Sequence, residues 1–253
     1  MCSTCGCGNP DGVRVIDLRT EPHTHDHDHD HDHPHDHDHG TETLVLEQAV
    51  LAKNDALAER NRDWLTGHGI AAINLMSSPG SGKTTLLERT VRELGGSRPL
   101  GVIEGDQETL LDADRIQAAG AQVVQVNTGA GCHLDADMMD NALQKLAPAD
   151  GSLVFVENVG NLVCPALFDL GESKRVTVIS VTEGADKPAK YPYMFRSTDL
   201  VVLNKIDLLP YVDFDVDRCI DLIHQINEDT TVLRLSATRG DGVDEWYRWL
   251  AAV

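Results

Sequence analysis

The sequence predicts an α/β protein with a doubly wound, mostly parallel sheet, and three observations carry that prediction. Seven short runs rich in β-branched residues recur between helix-length segments over residues 70–253. A glycine-rich turn, Ser77-Ser-Pro-Gly-Ser-Gly-Lys-Thr-Thr85, follows the first run and opens the helical stretch Leu86–Leu94. The other chemistry-bearing motifs of this region also follow such runs, where sheets of this kind gather their ligands.

Taken in order, residues 1–8 form a cysteine motif, residues 9–45 a His/Asp-rich disordered arm, residues 46–69 a helix, and residues 70–253 the body. Met1-Cys-Ser-Thr-Cys-Gly-Cys7 brings Cys2, Cys5, Cys7 and an amine together, and Gly6 and Gly8 let the backbone fold round one ion. Soft thiolates with a nitrogen suit Ni(II), Zn(II) or Cu(I). A Cys-x-x-Cys that merely resists oxidation, or that awaits a disulfide partner, is the plainer alternative.

Every odd position from His23 to His39 is histidine, and six of the intervening positions are Asp. Imidazoles near pKa ~6.5 are mostly neutral at neutral pH and available as ligands. The run holds no apolar residue, so nothing offsets the ~1–2 kcal/mol per residue that ordering its backbone would cost. It reads as a multi-ion reservoir. From Leu44 to Leu65 a patchy helical period follows, with apolar residues at Leu46, Ala49, Val50, Leu57, Trp64 and Leu65.

The expected strands of the body are Ile70–Met76, Leu100–Glu104, Gln122–Val126, Leu153–Glu157, Val176–Val181, Leu200–Leu203 and Thr231–Leu235. The turn after the first has the composition of a P-loop, in which backbone N–H groups and a helix N-terminus converge on phosphate. Gly80, Ser81, Gly82, Lys83, Thr84 and Thr85 are the nucleotide-binding candidates, with Lys83 reaching the β- and γ-phosphates and Thr84 on Mg²⁺. Ser77 stands where the strict pattern has glycine.

Asn204-Lys-Ile-Asp207 follows the sixth run. A carboxylate at Asp207 accepts both the N1–H and the amino hydrogens of guanine, a pair that adenine lacks, and so selects GTP. Asn204 and Lys205 brace the loop and cover the base, while Ser236-Ala237 offers a backbone N–H to the guanine oxygen. Glu157 ends one expected strand and Asp106 lies just past Leu100–Glu104; both are candidates to hold Mg²⁺ and orient the attacking water, helix capping being the alternative. Lys83, Thr84, Asp106 and Glu157 are thus the expected catalytic set.

Cys132-His133 can converge at a loop-to-helix transition, and Cys164 lies seven residues beyond Glu157. Together the three make a second metal site, with a fourth position left for water or another subunit. If the loop after Glu157 moves when the γ-phosphate is lost, it carries Cys164 with it. Cys219, His68 and His224 read as structural.

Composition bounds the rest. An apolar content of 41% is ample for a core. The net charge of −20, of which residues 1–44 supply −8 (two Arg against ten Asp or Glu), argues against nucleic acid and anionic membranes as partners. No run approaches the length of a membrane span and no export signal precedes the body, so a cytoplasmic, reducing setting is expected.

The cysteine motif, histidine run, Ser77–Thr85, Cys132-His133, Glu157–Pro165 and Asn204–Asp207 together resemble the hydrogenase nickel-incorporation GTPases, the HypB family, over nearly the whole chain. That resemblance implies a SIMIBI-type P-loop GTPase and metallochaperone, using GTP and Mg²⁺, which delivers Ni²⁺ during [NiFe] hydrogenase maturation. It places the high-affinity nickel site on Cys2, Cys5 and Cys7, and a nickel or zinc site on Cys132, His133 and Cys164. It further implies a nucleotide-linked homodimer, a small zinc-containing partner chaperone and the hydrogenase large subunit as recipient. The related urease-maturation GTPases carry Cys-Pro-His in the metal loop, whereas Cys164-Pro165 is followed here by Ala166. A nickel store with incidental GTPase activity is the alternative of another class.

Overall fold

The computed structural model describes residues 39–106, 111–129 and 131–253. Cys2, Cys5, Cys7 and the histidine run as far as His37 lie outside the described residues. The chain divides into two units, residues 1–50 and 51–253. Of the first, the described part is the beginning of helix α1, His39–Gly67. This helix therefore takes in residues 39–45 as well as most of the segment 46–69.

Among its described residues the second unit has seven strands: β1 (Ala71–Ser77), β2 (Leu100–Asp106), β3 (Gln122–Asn127), β4 (Leu153–Glu157), β5 (Lys174–Ser180), β6 (Leu200–Asn204) and β7 (Thr231–Arg234). They form a single sheet in the order β3-β2-β4-β1-β5-β6-β7, and every pairing is parallel. β1 and β4 are buried throughout, which explains why they read as apolar runs rather than alternating ones.

Helices α2 (Lys83–Leu94), α3 (Leu111–Ala118), α4 (Ala136–Leu146), α5 (Lys187–Lys190), α6 (Pro192–Arg196), α7 (Val216–Ile226) and α8 (Val243–Ala251) complete the unit. On one face of the sheet Ile73, Leu75, Val102 and Phe155 pack with Leu86 and Leu87 of α2 and Trp246 of α8. On the other, Ala72, Ile103, Val154 and Val156 pack with Leu65 of α1 and Met139 and Leu143 of α4. Further along, Met76, Ile179, Val201 and Leu203 pack with Met194, Phe195, Cys219 and Ile223.

The apolar expectation for α1 is only partly met. Its buried stripe is Asn54, Ala58, Asn61 and Leu65, whereas Val50 and Trp64 are exposed. Gly171, at φ +87°, permits this close approach, since an added Cβ would stand 2.4 Å from the Ala58 carbonyl oxygen. Cys219 is fully buried. His68 and His224 contact the carbonyls of Trp64 and Thr230 through ring nitrogens at 2.8 Å and 3.1 Å.

Candidate nucleotide and metal site

At the carboxyl end of β1 the chain turns through Gly80 (φ +74°) and Gly82 (φ +99°) into α2. The left-handed backbone at these two points is what demands glycine. Lys83 Nζ donates to Ser77 Oγ at 2.8 Å, so the serine in place of the expected glycine serves as an acceptor for the P-loop lysine. Ser81 is buried and Thr85 lines the cleft. Ser78 Oγ donates to Glu183 Oε2, a residue that sequence reasoning did not single out.

A cleft of about 540 Å³ opens here, lined by residues 79–85, Glu104, Asp106, Asp112, Arg115, residues 157–160 and Lys205. Lys205 Nζ donates to the Gly80 carbonyl at 2.6 Å and Asn204 Nδ2 to the Ser81 carbonyl at 2.9 Å, so both residues brace the P-loop. Asp207, Ser236 and Ala237 lie beyond the lining of this cleft, and of the three Ala237 is bonded to Asn204. The Ala237 N–H donates to Asn204 Oδ1 at 3.0 Å and the Ser236 N–H to the Asp241 carbonyl at 2.8 Å. Asp207 faces Arg239, with Nε 3.8 Å from Oδ2.

Thr84 Oγ1 donates to Glu157 Oε1 at 2.7 Å. β2 and β4 run in a register that pairs Glu104 with Glu157, which sets the two carboxyls side by side on the α2 face of the sheet. Glu104 Oε2 and Glu157 Oε2 are buried without a hydrogen-bond donor. Burial, and then the neighbouring Glu157, push Glu104 up to about 10. Burial also raises Glu157, against the opposing pull of Lys83 and Thr84. Two such oxygens need a proton or a cation between them. Together with Asp112, whose carboxylate lies within 4.8 Å of both, they form an oxygen cluster of the kind that suits a hard dication.

The second cluster lies on the opposite side of β4. Cys132 Sγ and Cys164 Sγ are 2.8 Å apart, and His133 Nδ1 is 3.7 Å from Cys132 Sγ. Cys164 begins the 3₁₀ turn Cys164–Ala166, and Asp135 caps α4 by accepting the Met138 N–H at 2.8 Å. The imidazole of His133 stacks on Phe168 at 3.9 Å, and burial lowers its pKa against the influence of Asp135. A neutral imidazole beside two thiols is a soft ligand set for a borderline metal. The geometry thus brings Cys132, His133 and Cys164 together, while Glu104 and Asp112 join the acidic cluster without having been singled out by sequence. The signal for Glu104 was present: a carboxylate at the same strand parity as the apolar Val102 has no reason to be buried unless it is used.

Residues 71–234 match the family model described as CobW/HypB/UreG, nucleotide-binding domain. The hydrogenase maturation factor HypB of Azotobacter chroococcum mcd 1 is 56% identical over 205 residues, covering 81% of this chain and 67% of that one. Its counterpart in Escherichia coli (strain K12) is 54% identical over 207 residues, covering 82% and 71%. The crystal structure of the hydrogenase maturation factor HypB from Archaeoglobus fulgidus superposes with a TM-score of 0.75 at 40% identity, covering 79% of this chain and 98% of that one. HypB from Helicobacter pylori in complex with nickel gives 0.74 at 34% identity, covering 79% and 94%. With a nucleotide-binding-domain match spanning the sheet, and relatives of this identity and coverage, the chain belongs to the HypB family of hydrogenase maturation factors.

Proposed function

We propose that the chain is a GTP-hydrolysing nickel chaperone that supplies Ni²⁺ during maturation of a [NiFe] hydrogenase. The observation that carries this reading is the segment Glu157–Cys164: its first residue accepts the Thr84 hydroxyl, and its last lies 2.8 Å from Cys132. One short stretch therefore touches both the phosphate cradle and the thiol pair.

In this reading the P-loop N–H groups and Lys83 hold the phosphates, Asp207 selects guanine and Asp106 orients the attacking water. Thr84, Glu157, Glu104 and Asp112 would hold Mg²⁺, which supplies charge neutralisation at the phosphates when bound. The unpartnered Oε2 atoms of Glu104 and Glu157 fit that group. Nickel is cargo: Cys2, Cys5 and Cys7 take it with high affinity, and Cys132, His133 and Cys164 form the nickel or zinc site of the body. Handover to a small zinc-containing chaperone and to the hydrogenase large subunit, nucleotide-linked homodimerisation and a cytoplasmic location belong to the same reading. Among the described residues no helix is long and apolar enough to cross a membrane.

The test uses the full chain with Cys2, Cys5 and Cys7 replaced by Ser. Nickel should then produce a thiolate-to-metal absorption band that Cys132→Ser weakens or removes, and Lys83→Ala should abolish GTP turnover while leaving the band in place. A band indifferent to Cys132→Ser, or turnover that survives Lys83→Ala, would dismiss the corresponding half of the assignment.

A further inference from the structure

The backbone of residues 132–136, which carries Cys132 and His133, is held by four asparagine side chains arriving from two directions. From the loop after β4, Asn161 Nδ2 donates to the Cys132 carbonyl at 3.4 Å and Asn158 Oδ1 accepts the Leu134 N–H at 3.1 Å. From α1, Asn54 Oδ1 accepts the Ala136 N–H at 2.9 Å and Asn61 Nδ2 donates to the Ala136 carbonyl at 2.8 Å. Asn54, Asn61 and Asn158 are only 5%, 4% and 1% exposed, so each amide is buried for the sake of these bonds.

The two pairs are anchored differently. Asn158 directly follows Glu157, and its N–H continues the ladder by donating to the Leu75 carbonyl at 3.0 Å. Strand alternation therefore turns Glu157 towards α2 and the nucleotide cleft, and Asn158 towards the opposite face and the thiol loop. Its Oδ1 also accepts the Val159 N–H at 3.0 Å, and its Nδ2 donates to Asn74 Oδ1 at 3.3 Å. The loop it begins touches the P-loop, since an added Cβ at Gly160 would lie 3.2 Å from Pro79. Asn54 and Asn61 do not line the cleft; they are tied instead to the carbonyls of Asp169 and Leu170, at 2.8 Å and 3.0 Å.

We propose that Asn158 is a positioning residue that transmits nucleotide state to the metal loop, with Asn54 and Asn61 as the fixed end against which the loop shifts. A displacement of residues 157–160 draws the Leu134 N–H, and with it Cys132 and His133, relative to an Ala136 that α1 keeps in place. The inference rests on the proposed nickel and GTP reading and adds to it a second linkage, independent of Cys164.

The experiment titrates Ni²⁺ into the full chain carrying Ser at positions 2, 5 and 7, with GDP and with a non-hydrolysable GTP analogue, and follows the thiolate-to-nickel band. The expected ratio of the two affinities is ~5–150-fold, the ordinary range for coupled sites. Asn158→Ala should lower that ratio several-fold without abolishing it, because Cys164 still joins the two sites, whereas Asn61→Ala should weaken nickel by the same factor in both nucleotide states and leave the ratio intact. An unchanged ratio in Asn158→Ala overturns the inference while leaving the functional reading standing. A parent chain without any ratio overturns that reading and the inference with it. Should Asn158→Ala not fold, amide exchange on the parent chain decides. The Leu134 and Val159 N–H groups, both held by one Asn158 oxygen, should change protection together between nucleotide states while Ala136 stays constant, and independent behaviour of Leu134 overturns the inference.

Discussion

Replacing Glu104 with Gln tests the acidic pair in isolation. An ordinary glutamate loses its proton near 4.5, but the buried Glu104 keeps it up to about 10. Between those values the folded chain binds a proton that the unfolded chain has released, so stability falls as pH rises. The contribution is full below the ordinary value and gone by the raised one. Each pH unit in that window is worth ~1.4 kcal/mol per proton, so going from about pH 6 to about pH 8 should cost the metal-free, nucleotide-free protein roughly 2–3 kcal/mol. Glu104→Gln keeps the shape, needs no proton, and leaves Glu157 to Lys83 and Thr84. Urea denaturation in the presence of a chelator at the two pH values measures both proteins. The variant should show a slope shallower by that amount and gain stability at the alkaline end. In the parent chain, Mg²⁺ should expel the proton, detectable as acidification of a weakly buffered solution. Equal pH slopes in parent and variant would refute the reasoning, because the proton would then reside elsewhere.

Two further substitutions probe the frame. Gly82→Ala places a methyl 2.5 Å from Asn204 Nδ2 at a backbone with φ +99°. Strain of ~1–2 kcal/mol plus a lost hydrogen bond of ~0.5–1.5 kcal/mol should weaken guanine-nucleotide binding by about 10- to 300-fold in a fluorescence titration. Unchanged affinity would mean that the bracing by Asn204 is irrelevant to the loop. Trp246→Phe removes the indole N–H that donates to Thr90 Oγ1 at 2.9 Å and leaves space beneath α8. A loss of ~1–3 kcal/mol in chemical denaturation, with nucleotide affinity unaltered, is expected.

Much of this molecule is legible in its residues, and what is not has identifiable reasons. The strands β1, β4 and β6 show as apolar runs because a parallel sheet covered on both faces buries every position of its inner strands, while the partly exposed edge strands β3 and β7 show through their β-branched residues. The P-loop and Asn204–Asp207 are legible because their chemistry sits in consecutive residues. The buried stripe of α1 is not: it alternates Asn54 and Asn61 with Ala58 and Leu65, and an apolar-period reading passes over the two asparagines in favour of Val50 and Trp64. Glu104 escapes for a related reason. It sits in the middle of a strand, and only its register with Glu157 gives it a partner. Asn158 looks like a loop residue until its side chain is seen to close the backbone of Leu134.

By itself the sequence determined the alternation of strands and helices, the turn at Ser77–Thr85, the motif Asn204–Asp207 after the sixth strand and the identity of the paired thiols, because each depends on neighbouring residues or on a short period. The tertiary structure alone decided that β2 lies beside β4 so that two acids share a buried site, and that asparagines from α1 and from the β4 loop meet across one turn. Such pairings join residues tens of positions apart, and their partners are fixed by strand order and register, which local composition does not encode.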